Sequence, residues 1–171
     1  MTNRSATLVT MVAAVAVMAT TMGTKAAPRL VCNVSESVPT SLYHVQPARR
    51  PIVTALVVAY APEPLATFLT DGGYLPRGVP LIKRILALPG QIVCRTGLTI
   101  TGDGNDMGVA RERDRRGRPL SVWYGCGVVA AGEVFLMNRD EPASLDGRYF
   151  GPIPMTAIVG CAAPLWTFEE N

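Results

Sequence analysis

Proline and glycine interrupt this chain so often that almost no apolar run beyond its N-terminus is long enough for a helix. Fourteen prolines and sixteen glycines are spread over 171 residues. Proline lacks the amide donor a helix needs, and glycine favours turns through its backbone freedom. The stretches between them therefore read as short strands. Ile52–Tyr60 is a valine-rich run bounded by prolines, with the length of a strand buried on both faces. Leu81–Leu88, closed by Pro-Gly, is a second strand, and Ile92–Ile100 is predicted to pair back across that turn. Val122–Val129, Glu133–Met137 and Ala157–Pro164 read as further strands, and Leu65–Leu69 as one helical turn. Asn138–Pro154 reads as a polar loop. Residues 101–119 are rich in Gly, Asp and Arg without an apolar period, the pattern of an insert. The fold class is mainly β: a domain of short strands with little helix outside the N-terminus.

That N-terminus is different. Ala6–Met22 carries no charge in 17 residues, with Arg4 before it and Lys25 after it. As a helix it would extend about 25 Å, just short of a bilayer core. Residues 1–26 therefore read as a cleaved signal peptide or a retained membrane anchor. Residues 27–171 then form one domain of ordinary size. The net charge is only +3, which argues against a nucleic-acid partner. The single basic cluster, RERDRRGR at Arg111–Arg118, accounts for a charge equal to that of the whole chain. It reads either as a solvated loop or as a contact for anionic headgroups or an acidic segment. Four cysteines, Cys32, Cys94, Cys126 and Cys161, form no CxxC pair, so neither a zinc ribbon nor any other metal or cofactor site is expected. Behind an export-like segment they suggest an oxidising compartment. Cys94 and Cys126 bracket the arginine-rich segment and could clip its base, leaving Cys32 with Cys161; four buried thiols are the other reading.

Bases are scarce. The chain has one histidine, His44, and two lysines, Lys25 and Lys83. A serine hydroxyl needs a base to become a nucleophile. Lysine serves only when neutral, which burial among apolar groups promotes. Lys25 borders the N-terminal apolar segment, whereas Lys83 lies within LIKRILAL, whose neighbours supply apolar walls. Lys83 is the plausible buried base; the alternative is an ordinary exposed strand lysine. Ser37, in NVSESVPTSLY, is the candidate nucleophile; alone, its Ser-x-Pro context is equally that of a turn.

Three blocks taken together resemble the S26 family of signal peptidases. They are SESVP, LIKRILALPG and GEVFLMNRDEPASLDGRYFGPI, in the family's order and rough spacing. The single residue between Ser37 and Pro39, the later Leu42-Tyr43, and the tail SLDGRYFGPIP are most similar to the TraF-type conjugative-transfer branch. The resemblance implies a signal-peptidase-like β-rich fold and a serine endopeptidase with Ser37 as nucleophile and Lys83 as general base. It implies a supporting oxyanion hydroxyl at Ser35, a lysine-orienting hydroxyl at Ser144, and an Asp146–Arg148 pair that holds the loop around the site. It implies a small apolar cleft lined by Ser35–Val38. The implied substrate is a pilin precursor, matured and in some relatives cyclised. The implied partners are the inner membrane and the conjugative transfer apparatus, with the domain facing the periplasm, or free in it if the N-terminal segment is removed. A general type I signal peptidase and an inactive structural module are the competing expectations.

Four features depart from the family pattern. Gln91 stands where aspartate is usual, and Asn138–Asp140 reads NRD in place of GDN. Gly147 replaces a common serine, and Ser41 replaces a glycine whose turn is expected to need positive φ.

Overall fold

The computed structural model describes residues 7–13, 15, 28–48 and 50–167. Residues 7–13 and 15 are helical and exposed; the rest of the expected leader or anchor over 1–26 lies outside the described residues. Among the described residues no helix is long and apolar enough to cross a membrane.

The strands, in chain order, are β1 (Leu30–Asn33), β2 (Ser41–Gln46), β3 (Leu56–Ala59), β4 (Leu81–Ala87), β5 (Ile92–Thr96) and β6 (Thr99–Gly102). They continue with β7 (Asn105–Val109), β8 (Gly125–Val128), β9 (Glu133–Leu136), β10 (Ile153–Pro154) and β11 (Ile158–Thr167). Two short helices, α1 (Leu65–Asp71) and α2 (Gly147–Phe150), complete the set. The strands form a seven-stranded sheet, ordered β1-β2-β11-β3-β4-β9-β10, and a four-stranded sheet, ordered β7-β6-β5-β8. All the pairings are antiparallel.

The apolar pattern explains the layers. In β3, Val57, Val58 and Ala59 are fully buried, as a central strand with both faces covered requires. Val57, Ala59, Ile85, Val134 and Leu136 form one core with Leu65 and Leu69 of α1. Each such side chain contributes roughly 1.5–3 kcal/mol when fully buried. Phe135 and Met137 pack with Val93 and Ile100 of the smaller sheet, which joins the two sheets. Trp123 meets Phe135 edge-on, with ring centroids 6.4 Å apart.

The mainly β reading agrees with this structure, and several local expectations are corrected. The valine-rich run is a strand only from Leu56, because Thr54 turns the chain with φ 75°. Ile92–Ile100 does not pair back on β4. Gly90, at φ 89°, directs the chain into the second sheet, and Gly97, at φ 60°, folds this stretch into the β5–β6 hairpin. Residues 101–119 are not structureless: they complete β6 and contain β7. β7 is the outer strand of its sheet and mostly exposed, so it carries no apolar alternation. The polar loop Asn138–Pro154 contains α2. The strands flanking the serine segment, β1 and β2, have no counterpart among the predicted strands; β2 nevertheless buries alternate positions at Ser41, Tyr43 and Val45.

The cysteines divide. Cys94 and Cys126 face each other across β5 and β8 and are bonded, S–S 2.00 Å. Cys32 and Cys161, expected as a second pair, are both free thiols. The reason is positional: Cys32 lies on β1, Cys161 on β11, and β2 runs between those two strands.

Candidate active site

The site forms where the β1–β2 turn meets the buried face of β4 and the segment leading from β9 into α2. Ser37 lies in that turn, and the last residue of β1 organises it. Asn33, 7% exposed, donates through Nδ2 to the carbonyls of Ser35 (2.7 Å) and Val38 (2.8 Å). Its Oδ1 accepts from the Ser35 amide (3.2 Å) and the Ser35 hydroxyl (2.7 Å). Asparagine is suited to this because its amide both donates and accepts. The Tyr43 hydroxyl donates to the Pro39 carbonyl at 2.8 Å, closing the far side of the turn.

Strand alternation places the lysine. Of the adjacent cations in β4, Arg84 takes the exposed position and Lys83 the inward one, where it is 3% exposed. The Lys83 ammonium donates to Ser37 Oγ at 3.1 Å and to Ser144 Oγ at 2.6 Å. Burial lowers its pKa from the ordinary 10.5 to about 8; Asp146 opposes that shift and Arg148 adds to it. A lysine so placed exchanges its proton near pH 8.

Asp146 and Arg148 are both buried and pair through two contacts, Nη2 to Oδ2 at 2.8 Å and Nε to Oδ1 at 2.9 Å. Asp146 also caps α2 by accepting from the Arg148 amide and accepts from the Asn138 amide at 3.1 Å. Arg148 Nη2 donates to the carbonyls of Asn138, Glu141 and Ser144, which shapes the segment carrying Ser144. This pair orders the loop and touches neither Ser37 nor Lys83 by hydrogen bond.

Two positioning residues were missed. Asn138 is buried and ties the β1–β2 turn to β4: Nδ2 donates to the Ser37 carbonyl (2.6 Å) and the Ile82 carbonyl (3.2 Å), and Oδ1 accepts from the Arg84 amide (3.0 Å). Asn33 is the other. The available signal was an asparagine at each segment's entry, a residue prone to bind nearby backbone.

Ser35 sits near Ser37 with its hydroxyl proton engaged by Asn33. Service to an oxyanion requires that bond to open. The Ser37 amide has no hydrogen-bond acceptor among the described residues. His44 lies on β2 opposite Leu30 and Ala163, away from the site.

The departures from the family pattern have local explanations. Ser41 is a buried strand residue, and positive φ among non-glycine described residues is confined to Thr54 and Asp103, so no left-handed turn is disturbed. Gln91 Oε1 accepts from the Leu88 amide at 2.8 Å, as a carboxylate would, while Nε2 donates to Asp103. A Cβ on Gly147 would lie 2.7 Å from the Phe135 ring and 2.8 Å from the Leu136 carbonyl, so a serine is excluded there.

Three cavities have Ser37 in their walls: one, of about 390 Å³, lies on the side of Thr40, Arg84 and Asn138, and the other two flank Lys83 and Ser144. Of these two, one, of about 280 Å³, is an apolar cleft with Cys32, Leu75, Leu81 and Ile82 in its walls beside Ser37 and Lys83. Ser35 lines it, but Val38 does not: that side chain packs into the core with Tyr43 and Val58. The other, of about 430 Å³, is walled by the arginine-rich segment.

Residues 3–166 match the family described as Signal peptidase, peptidase S26. A Conjugal transfer protein TraF of Agrobacterium fabrum is 37% identical over 147 residues, 80% of this chain and 82% of that protein. A Plasmid transfer protein TraF of Escherichia coli is 29% identical over 147 residues, with the same coverage. A signal peptidase I crystal structure from Enterococcus faecalis aligns with TM-score 0.41 and 17% identity, covering 66% of this chain and 97% of that one. The chain belongs to the peptidase S26 family of signal peptidases.

Proposed function

We propose that this chain is a serine endopeptidase of a conjugative transfer apparatus, in which Lys83 activates Ser37 to mature a pilin precursor. One observation carries the reading: a lysine amine, buried and with its pKa lowered to about 8, lies 3.1 Å from a serine hydroxyl in a cleft. That distance is within reach of proton transfer. Neutral Lys83 takes the Ser37 proton as Oγ attacks the scissile carbonyl. The resulting ammonium gives the proton to the leaving amine as the peptide bond breaks, leaving an acyl ester on Ser37. Water, or an amine from the same pilin chain, then attacks the ester. The first outcome is hydrolysis; the second closes a cyclic product with no net consumption of water. Ser144 accepts a hydrogen bond from the lysine and orients it. The Ser37 amide, with the Ser35 hydroxyl once released, stabilises the oxyanion, a contribution of several kcal/mol in such sites.

The conjugative substrate is supported by the relatives named for conjugal and plasmid transfer. The proposed location is the periplasmic side of the inner membrane, or the periplasm if residues 1–26 are removed. Co-expression with a pilin precursor, read by mass spectrometry, tests the whole reading. The wild type yields a shortened pilin, lighter by one further water if cyclised. Ser37→Ala and Lys83→Ala each abolish processing, and His44→Ala retains most of it. Near-normal processing by Lys83→Ala sinks the dyad. Equal processing of unrelated exported precursors points instead to a general signal peptidase, and an unchanged precursor to an inactive module.

A further inference from the structure

We propose that the arginine-walled cavity beside Ser37 is a subsite for an acidic side chain of the substrate peptide, so that cleavage selects segments bearing a carboxylate next to the scissile bond. This deepens the peptidase reading above and rests on it. The cavity, of about 430 Å³, has both Ser37 and Ser144 in its wall, so whatever fills it shares space with the reacting peptide. Its opposite wall is the arginine-rich segment, whose charge the dyad does not use.

That segment is built rather than loosely solvated. Asp114 Oδ1 accepts from the amides of Arg116 and Arg118, and Oδ2 from the Tyr74 hydroxyl (2.7 Å) and Arg118 Nε (2.7 Å). Arg118 also stacks on the Tyr74 ring at 4.4 Å and donates to the Gly72 carbonyl. Arg113 donates to the Gly117 carbonyl. Ala110 and Leu120, at the segment's two ends, are buried against Tyr149. The loop is therefore fixed before any ligand arrives, which lowers the cost of binding.

Five arginines line this cavity with three carboxylate residues, Glu36, Asp114 and Glu141. Asp114 is bound by Tyr74 and Arg118, and Glu141 accepts from the Ala143 amide. Glu36, adjacent to the nucleophile, pairs with Arg115. That pair shows a carboxylate seated on the arginine wall within one residue of Ser37. The side chains of Arg111 and Arg116 have no hydrogen-bond or ion-pair partner among the described residues. Guanidinium binds carboxylate through two parallel hydrogen bonds, so these two are the groups free to receive a substrate carboxylate. An anionic lipid headgroup would satisfy the same charge, but the shared wall with Ser37 and Ser144 favours the peptide.

The test uses the full chain and synthetic peptides that share one small-residue cleavage segment, with glutamate or glutamine placed one residue before or after the scissile bond. At low ionic strength the glutamate form at one of these positions has kcat/KM about tenfold higher than its glutamine twin. The preference shrinks with added salt and falls toward one in Arg111→Gln/Arg116→Gln. A wild-type ratio below about two at both positions overturns the subsite, as does a ratio that survives the double substitution. In a second arm, fluorescence anisotropy measures binding of the same peptides to the Ser37→Ala protein. There too the glutamate form binds more tightly, and the difference disappears with both arginines replaced. If the wild type cuts neither peptide, the peptidase reading fails and this binding difference alone decides the subsite. If the double substitution instead weakens only binding to phosphatidylglycerol vesicles, the segment is a membrane contact and the proposal is wrong.

Discussion

If Lys83 is the base, its burial couples activity to stability through one residue. Its folded pKa of about 8 lies below the ordinary 10.5. Below pH 8 the buried amine is charged in both the folded and unfolded states, and the folded state bears the full desolvation penalty. Between about 8 and 10.5 the unfolded chain holds more proton than the folded one, so stability rises with pH across that window. Cleavage rises over the lower part of the same range, as the neutral base forms, with an apparent pKa near 8. A flat pH–rate profile from acid to alkaline pH counts against a lysine base. Lys83→Met removes the charge at similar volume; it abolishes cleavage while raising stability at pH 7 by about 1–2 kcal/mol in urea titration. Asn138 acts differently. Asn138→Ala leaves the carbonyls of Ser37 and Ile82 and the Arg84 amide without this partner. If Ser37 is the nucleophile, it lowers kcat with little change in KM, because the turn is released while the two cavities that Asn138 does not line stay open. The same variant loses about 1–3 kcal/mol of stability in denaturant titration.

Among the elements, the smaller sheet has the weakest apolar support. β8 is exposed at every position, and its Cys94–Cys126 bond to β5 closes a separation of 32 residues. A closed loop of that length contributes about 3–4 kcal/mol in the chain-entropy account. Cys94→Ala/Cys126→Ala therefore lowers the thermal midpoint clearly, while cleavage of a neutral peptide at 25 °C persists, since Ser37 and Lys83 belong to the other sheet and its turn. Most of these elements are legible in the sequence, and each exception has its own local cause. β7 has no fully buried position and so shows no period. β1 and β2 are short, and β2 mixes serine and histidine into its alternation. The hairpin in place of one strand at Ile92–Ile100 turns on a single glycine, Gly97, whose φ only the fold specifies.

For the whole molecule, the Asp146–Arg148 pair connects the site to both sheets. Arg148 reaches the carbonyls of Asn138 and Ser144 and, through Nη1, that of Val109 on β7 at 3.3 Å. Arg95 of β5 donates to the Arg148 carbonyl, and Trp123 Nε1 to that of Gly147 at 3.0 Å. Asp146→Asn leaves a buried guanidinium uncompensated and costs about 3–5 kcal/mol, measured as a shift in the urea midpoint with both sheets unfolding together. The sequence alone determined the β-rich class and the family blocks, because turn residues and apolar runs act locally. It also reduced the candidate bases to one histidine and two lysines, of which only Lys83 had apolar neighbours. Tertiary structure decided the rest. Lys83 and Ser37 are 46 residues apart, and Ser144 is 61 from Lys83, so their contacts exist only when β4, the β1–β2 turn and the segment before α2 converge. The two bonded cysteines were likewise selected by strand register, and Cys32 and Cys161 were kept apart by the strand between them. Burial, which lowers the lysine's pKa, belongs to that convergence and to no single segment of the chain.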